Sequence, residues 1–227
     1  MHPPSWRREP VYRFVIAFGQ SLFRALRLRF TVTGTQNLPR DGSAIVAITH
    51  FGYLDFALTQ SVLWNNSRRL MRFMATAASF RHPVAGRLMR GMRHIPVERG
   101  AGAGSYPVAL AALARGEVVG IFPEAEVSTT GMVKPIKTGA VRLARESGAP
   151  IVPVAVWGGH RIVTKGHPFR LRNAFRAPVV IVVGPPMHVS GSANAVVATA
   201  QLQAALESLV ATAKYPESSL YEGAQAA

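Results

Sequence analysis

The stretch SAIVAITHFGYLD, residues 43–55, places an apolar strand directly before a group of polar side chains. Its first seven residues are small or β-branched, which is typical of a short strand inside a sheet. His50 follows this strand, and Asp55 comes five residues later. A second apolar run, VVGIF at 118–122, is closely followed by Glu124. Ligands of an open parallel sheet bind beyond the carboxyl ends of its strands, so we expect both polar groups at one edge.

Strand-like and helix-like segments alternate along the rest of the chain. This alternation predicts an α/β fold with a mostly parallel sheet flanked by helices. We expect Gly148 to close one helix and Ser192 to cap the last one. Strands are predicted at 43–49, 70–76, 94–97, 117–122, 151–157 and 179–183, and helices at 10–28, 56–64, 81–92, 105–115, 138–147 and 192–214.

The N-terminal helix combines an apolar face with flanking arginines. Such a pattern is typical of an amphipathic helix in the membrane interface, where arginine stems extend towards lipid phosphates. The alternative is a helix that packs on the core and has a solvated basic rim. The apolar face consists of Val11, Phe14, Val15, Phe18, Leu22, Phe23 and Leu26.

The chain is strongly basic and apolar at once. Its 227 residues carry a net charge of +15, yet 16% are charged and 48% are hydrophobic. The charge indicates an anionic partner, and the apolar composition favours a membrane surface over nucleic acid. Between Arg13 and Arg24 lie only ten uncharged residues, whereas a membrane-spanning helix needs about 20, so we predict no spanning segment.

Several kinds of chemistry are disfavoured by what the sequence contains. It has no cysteine, which excludes disulfides, a cysteine nucleophile and thiolate metal sites. Its seven histidines are scattered without the spacing of metal ligands, so we predict no metal site. It also has no G-x-S-x-G, H-E-x-x-H or P-loop motif. The chemistry left by these exclusions is that of a histidine acting as general base on a substrate hydroxyl.

The spacing of His50 and Asp55 restricts how the two side chains can meet. Five residues turn an ideal helix by about 500°, which leaves them about 140° apart. His50 must therefore lie in the turn before the helix, where Gly52 gives the backbone freedom. Asp55 could then bind the proton on one imidazole nitrogen and raise the basicity of the other. The alternative is a structural pair that only completes the start of the helix.

Four blocks in the chain, taken in order, give it a family resemblance. They are the H-x4-D of residues 50–55, the apolar run with an acid and arginine at 95–99, Phe-Pro-Glu at 122–124, and Val-Pro-Val-Ala-Val at 152–156. With these blocks the chain resembles the glycerolipid acyltransferases of the 1-acylglycerol-3-phosphate O-acyltransferase type. The resemblance covers roughly residues 30–190. Lys-Thr-Gly-Ala at 137–140 also resembles the family segment that follows the third block.

The resemblance implies transfer of a fatty acyl group from acyl-CoA or acyl carrier protein to a hydroxyl of a glycerol-phosphate or lysophospholipid acceptor. His50 would be the base and Asp55 its orienting partner. Arg99, together with Lys137, would hold the acceptor phosphate, and Glu124 would bind the polar head of the acceptor. No metal or other cofactor is implied. We expect a peripheral or monotopic protein on the cytoplasmic face of a bacterial cell membrane, bound to an anionic membrane surface and not to nucleic acid.

The chain departs from the family pattern near the expected phosphate site. Val127 stands where the family usually has arginine, and Thr76 where it commonly has lysine. Glu126 is an additional acid that would repel a phosphate or, instead, hydrogen-bond a sugar or glycerol hydroxyl. The alternatives are acylation of a glycosylated or amino-acid lipid, or a non-catalytic basic protein that binds membranes or nucleic acid. Candidates to replace the missing cations are Arg93, His94 and Lys137.

The predicted division of the chain has three parts. Residues 1–30 would be the interfacial helix, residues 31–215 the acyltransferase domain, and residues 216–227 a disordered tail. Within the domain, residues 160–176 hold five Lys or Arg residues and no acid. This basic stretch is interpreted as a second membrane contact, a site for the phosphates of the acyl donor, or a solvated loop.

Overall fold

The computed structural model describes residues 9–98 and 104–215. Arg99 and the predicted tail at 216–227 lie outside these ranges, as do residues 1–8. The described residues contain one seven-stranded sheet with the order β1-β7-β6-β2-β5-β3-β4. The strands are β1 Arg29–Thr33, β2 Ala44–Ile48, β3 Met71–Thr76, β4 Ile95–Val97, β5 Val118–Ile121, β6 Ile151–Trp157 and β7 Pro178–Val183.

Helices cover both faces of this sheet, which confirms the predicted α/β fold. On β2, Val46 and Ile48 pack with α1 and α2, whereas Ile45 and Ala47 pack with α5, α6 and α9. This alternation explains why the whole strand is apolar. The helices are α1 Pro10–Ala25, α2 Asp55–Ser67, α3 Ala77–Arg81, α4 Pro83–Gly91, α5 Ser105–Ala114, α6 Gly139–Ser147, α7 Gly159–Ile162, α8 Leu171–Ala174 and α9 Ala195–Lys214.

Three details differ from the sequence predictions. β1 was not predicted, and it places the proposed boundary at residue 30 inside a strand. The helix predicted at 81–92 corresponds to α4, which begins at Pro83 where the His82 side chain accepts the backbone N–H of Ala85; the short α3 before it, at 77–81, was not predicted. The last helix is capped by Asn194 and not by Ser192: the Asn194 side chain accepts the N–H groups of the first turn. Gly148 does close α6, with φ of 70°.

The direction of β7 determines which segments reach the polar edge of the sheet. β6 and β7 are antiparallel, and β1 is parallel to β7, while the other neighbouring strands pair in parallel. β7 and β1 therefore begin at the edge where β2, β5 and β6 end. The end of α1 and the connection between β6 and β7 are brought to that same edge.

The N-terminal helix packs on the core with one face and leaves a second apolar face exposed. Tyr12, Ile16 and Phe23 are buried, and the Tyr12 hydroxyl donates to the Met71 carbonyl oxygen at 2.6 Å. Phe14 and Phe18 are 66% and 62% exposed. Core packing therefore accounts for one side of the helix but not for the other.

A buried ion pair joins the start of α1 to the sheet. The guanidinium of Arg72 in β3 donates from Nη1 to Glu9 Oε2 at 2.6 Å, and its Nη2 lies 3.2 Å from Glu117 Oε1. Arg72 is 2% exposed and Glu9 is 7% exposed. The pair compensates two charges that would be costly to bury alone.

Among the described residues, α9 has the length and composition of a helix that could cross a membrane. A helix was predicted at 192–214, but no membrane-spanning segment was predicted. Its buried residues lie along one side of the helix and contact the sheet, as in the core helix of many domains. They are Ala198, Thr199, Leu202, Leu206, Val210 and Ala213.

Candidate active site

A tight turn between β2 and α2 brings His50 and Asp55 together. His50 lies two residues after β2, and Asp55 is the first residue of α2. Nδ1 of His50 lies 3.4 Å from Oδ2 of Asp55. The backbone N–H groups of Phe51 and Gly52 donate to the same oxygen at 2.8 and 2.7 Å. The aspartate thus closes the turn, and the histidine lies before the helix as its spacing requires.

The surroundings of the pair suit proton transfer at His50. Asp55 is fully buried, whereas 20% of the His50 side chain is exposed to solvent. Burial raises the pKa of Asp55, and the hydrogen bonds from His50, Gly52 and Phe51 oppose that rise. With Nδ1 directed to Asp55, Nε2 is the ring nitrogen left for a substrate.

Two glycines allow this turn to approach the start of α7. A Cβ on Gly52 would lie 2.8 Å from the backbone nitrogen of His160. A Cβ on Gly159 would lie 2.9 Å from Oδ1 of Asp55. Gly52 was expected to supply backbone freedom, but the structure shows a different reason for a glycine: there is no room for a side chain beside the backbone of His160. Gly159 and His160 were not predicted, and their distance in sequence leaves no local signal of the contact.

Glu124 fixes the backbone of the turn that carries His50. Its Oε1 accepts the N–H of His50 at 2.9 Å, and its Oε2 accepts the N–H of Lys134 at 2.9 Å. Burial raises the pKa of Glu124, and these two N–H donors oppose the rise. Because the side chain is buried and holds both partners, it joins the turn after β2 to the loop after β5.

Two further contacts from the same loop hold His50. The N–H of Ser128 donates to the His50 carbonyl oxygen at 2.7 Å. The Phe122 ring is stacked on the imidazole, with ring centroids 4.1 Å apart. The backbone and the ring of His50 are therefore both constrained by residues that follow β5, a preorganisation that favours catalysis.

The other predicted residues lie on the loop after β5 or outside the described ranges. Lys137 is exposed, and its backbone N–H donates to the Pro123 carbonyl oxygen. Glu126 is 69% exposed, and its Oε2 lies 3.4 Å from Nζ of Lys134. Lys134 was not predicted, and it adds a cation beside the additional acid. The placement of Arg99 is not described.

Two of the suggested replacement cations are occupied elsewhere. Arg93 lies 3.6 Å from Glu9 and 3.5 Å from Glu117, so its charge belongs to the buried cluster around Arg72. His94 is buried, and burial lowers its pKa to about 3, which keeps it neutral. These surroundings give no support to the suggestion that Arg93 and His94 replace the missing cations. Thr76, at the end of β3, is exposed.

The part of the chain that the structure describes contains no cluster of three or more acidic or histidine side chains that could hold a metal ion. At the polar edge, the histidine–carboxylate pair of His50 and Asp55 is held in place by a second carboxylate, Glu124. Such a pair can remove a proton from a hydroxyl group and return it to a leaving group.

Comparison with known proteins defines the class to which this fold and site belong. Residues 29–157 match the family described as Acyltransferase. The chain is 29% identical over 189 residues to 1-acyl-sn-glycerol-3-phosphate acyltransferase of Bacillus subtilis, covering 81% of this chain and 86% of that protein. The protein is an O-acyltransferase. More particularly, the chain belongs to the 1-acylglycerol-3-phosphate acyltransferase family.

Two further similarities concern an uncharacterised protein and a solved structure. An uncharacterised protein of Mycobacterium tuberculosis is 31% identical over 167 residues, which cover 67% of this chain but 42% of that protein. The solved 1-acyl-sn-glycerophosphate acyltransferase of Thermotoga maritima has a TM-score of 0.75 and 22% identity, covering 95% of this chain and 84% of that one. This last likeness concerns the fold, and the seven-stranded sheet agrees with it.

Proposed function

We propose that the protein moves a fatty acyl group from acyl-CoA or acyl carrier protein to a hydroxyl group of a glycerol-phosphate or lysophospholipid acceptor. The observation that carries this proposal is the His50–Asp55 pair at the carboxyl end of a central strand. The histidine of the pair is partly exposed to solvent and the aspartate is buried.

The proposed reaction needs no covalent enzyme intermediate. Nε2 of His50 takes the proton of the acceptor hydroxyl while the hydroxyl oxygen attacks the thioester carbonyl carbon. The tetrahedral intermediate collapses, the carbon–sulfur bond breaks, and the departing sulfur takes the proton back from His50. Asp55 stabilises the imidazolium between these two steps through Nδ1. The products are the acylated lipid and a free thiol.

For substrate binding we propose Arg99 and Lys137 as ligands of the acceptor phosphate. Glu124 and Glu126 would bind the hydroxyl groups of the acceptor. The exposure of Lys137 and Glu126 supports access to a substrate, and the Lys134 charge beside Glu126 favours a phosphate-bearing acceptor. The contacts of Glu124 with His50 and Lys134 give this residue a positioning role in addition.

We further propose that the protein is a peripheral or monotopic protein of the cytoplasmic membrane face. Its residues to about 30 would form an interfacial arm and residues 31–215 the catalytic domain. The exposed apolar side of α1, with Phe14 and Phe18 at its centre, supports contact with the membrane interface. The helix ends at Ala25 and β1 begins at Arg29, which supports a division near this point.

The test is acylation of lysophosphatidate by acyl-CoA or by acyl carrier protein, with products identified by mass spectrometry. His50→Ala and Asp55→Asn should each lower kcat/KM by roughly 10²–10⁴, the usual effect of losing a general base or its support. His188→Ala, at an exposed histidine away from the turn, is the matched control and should keep full activity. Activity of His50→Ala within a few-fold of wild type would exclude the mechanism.

The acceptor is tested in the same assay with monoacylglycerol in place of lysophosphatidate. Wild type should prefer the phosphate-bearing acceptor. Arg99→Ala should remove about 1.5–3 kcal/mol of this preference, the value of a hydrogen bond to a charged group. Equal use of both acceptors by wild type would contradict the phosphate site. It would favour a glycosylated or amino-acid lipid as the acceptor, bound by Glu126.

A further inference from the structure

The segment that connects β6 to β7 is fixed at its ends and exposed in the middle. At one end, Thr164 Oγ1 donates to the Phe51 carbonyl oxygen at 2.7 Å. At the other, the Arg176 N–H donates to the Leu26 carbonyl oxygen at 2.8 Å. All nine residues from 165 to 173 are exposed. The segment thus runs over the surface between the catalytic turn and the end of α1.

Large apolar side chains and cations alternate on this segment. Phe169 is 52% exposed, Leu171 is 63% exposed and Phe175 is 46% exposed. Single exposed hydrophobic residues are ordinary on protein surfaces, but three within seven residues form a patch that needs a partner. The cations between and before them are Lys165, Arg170 and Arg172.

The charge of the segment is uncompensated by nearby acids. The chain has no Asp or Glu between Glu146 and Glu207. The salt bridges found in residues 9–98 and 104–215 involve none of Lys165, Arg170 and Arg172. An anionic surface is therefore the complementary partner, and its apolar layer must accept phenylalanine and leucine.

We propose that residues 165–175 are a second lipid contact whose partner is a bilayer containing anionic phospholipid. Phe169, Leu171 and Phe175 enter the interface, and Arg170 and Arg172 bind lipid phosphates. The inference rests on the proposed function, because an acceptor with a fatty chain lies in the bilayer and must reach His50 from there. Nucleic acid would bind the arginines and stack on the phenylalanines, but it offers no apolar layer for Leu171.

The position of the segment explains what the contact does. The Val163 carbonyl oxygen accepts the N–H of Tyr53, so the segment begins beside the turn that carries His50. It ends against Leu26, just after α1, whose apolar face is the first proposed contact. Two neighbouring contacts at this edge of the sheet would direct the edge towards the membrane, whereas α1 alone would leave it free to rotate.

The proposal is tested by co-sedimentation of the full chain with vesicles of phosphatidylcholine alone or mixed with phosphatidylglycerol. Arg170→Gln with Arg172→Gln should weaken binding to the mixed vesicles about 25-fold, since each surface cation contributes about five-fold. Binding to the neutral vesicles should not change. The matched control is Arg40→Gln with Arg142→Gln, two exposed arginines outside the segment, which should lose much less.

The apolar part of the contact is tested separately. Phe169→Ala with Leu171→Ala should weaken binding to both kinds of vesicle, by roughly ten-fold or more. The control is Val196→Ala with Val197→Ala, at exposed residues of α9, which should bind as wild type does. Unchanged vesicle binding in the segment variants, or an equal loss in the controls, would overturn the proposal.

An activity assay separates this inference from the proposed function. With a short-chain lysophosphatidate dissolved as monomer, the segment variants should keep the wild-type kcat/KM, and only acylation of a vesicle-borne acceptor should fall. Equal losses with both acceptors would place the segment in the active site and overturn the lipid contact. Loss of binding to double-stranded DNA with unchanged vesicle binding would also overturn it. If wild type acylates neither acceptor, the proposed function fails, and vesicle binding alone decides the inference.

Discussion

Gly159 leaves the space that the Asp55 carboxylate occupies. A methyl group there would lie 2.9 Å from Oδ1 of Asp55 and 3.1 Å from Cδ1 of Leu58, closer than such contacts normally are. The carboxylate would have to move, and His50 Nδ1 is held by that carboxylate. A displacement of this kind can lower the rate about 10²-fold without unfolding the protein.

We therefore expect Gly159→Ala to lower kcat by roughly 10- to 100-fold and to destabilise the fold by about 1–3 kcal/mol. Steady-state kinetics and urea unfolding measure the two effects. The control is Gly191→Ala, at a glycine with open space around its Cβ position. Wild-type kinetics in Gly159→Ala would show that the turn tolerates the extra methyl group.

That His50 and Asp55 meet was predictable at the residue scale, but the residues that support them were not. His50 and Asp55 carry chemistry in their side chains and lie five residues apart, so sequence spacing restricts their geometry. Glu124 was predicted to contact substrate, yet its observed partners are backbone N–H groups, which every residue except proline carries. Gly159 lies 104 residues from Asp55 along the chain, and no local pattern connects them.

At the scale of elements, the attachment of α1 to the sheet depends on a buried charge. Glu9→Gln would leave the Arg72 guanidinium buried with Glu117 as its nearest acid. Breaking a buried pair by removing one partner costs about 3–5 kcal/mol, and the remaining Glu117 favours the lower value. We expect the free energy of unfolding to fall by about 3 kcal/mol in urea titrations.

A surface ion pair provides the comparison for this prediction. Glu126→Gln removes the partner of Lys134 at a position where the acid is 69% exposed. Exposed pairs contribute about 0–1 kcal/mol, so the stability of this variant should stay close to that of wild type. Equal losses in the Glu9 and Glu126 variants would contradict the role given to the buried pair.

The elements that the sequence predicted well are those with strong apolar patterns. β2, β5 and β6 are buried along almost their whole length, and the predicted strands match them closely. β1 was missed because its residues are mostly exposed at the sheet edge, and it pairs with β7 far along the chain. The antiparallel direction of β7 could not be predicted either, because apolar periodicity does not report strand direction.

At the scale of the whole molecule, the charge of +15 should make membrane binding depend on salt. The Debye length falls from about 10 Å at 0.1 M salt to about 3 Å at 1 M, so attraction to an anionic surface is screened. We expect binding to vesicles with phosphatidylglycerol to weaken by roughly ten-fold or more over this range, as several cations of about 1 kcal/mol each lose their effect. Co-sedimentation at increasing NaCl measures this.

Phosphatidylcholine vesicles separate the charge from the apolar contribution. Binding through Phe14, Phe18 and the other exposed apolar residues should persist at high salt. If neutral and anionic vesicles respond to salt alike, the net charge has no part in membrane binding. Such a result would leave burial of apolar side chains as the whole driving force.

The contacts of the His50 turn also bear on when the enzyme becomes active during its synthesis. The backbone N–H of His50 binds Glu124, which lies 74 residues later in the chain. The Phe51 carbonyl oxygen binds Thr164, which lies 113 residues after it. Contacts so distant along the chain form late, because the intervening loop must close first. A ribosome that has completed β4 has therefore produced both residues of the proposed catalytic pair but not the residues that support them. We expect the nascent chain to be inert until β5 and β6 have joined β2, so an unfinished enzyme at the membrane would not release acyl groups from its donor.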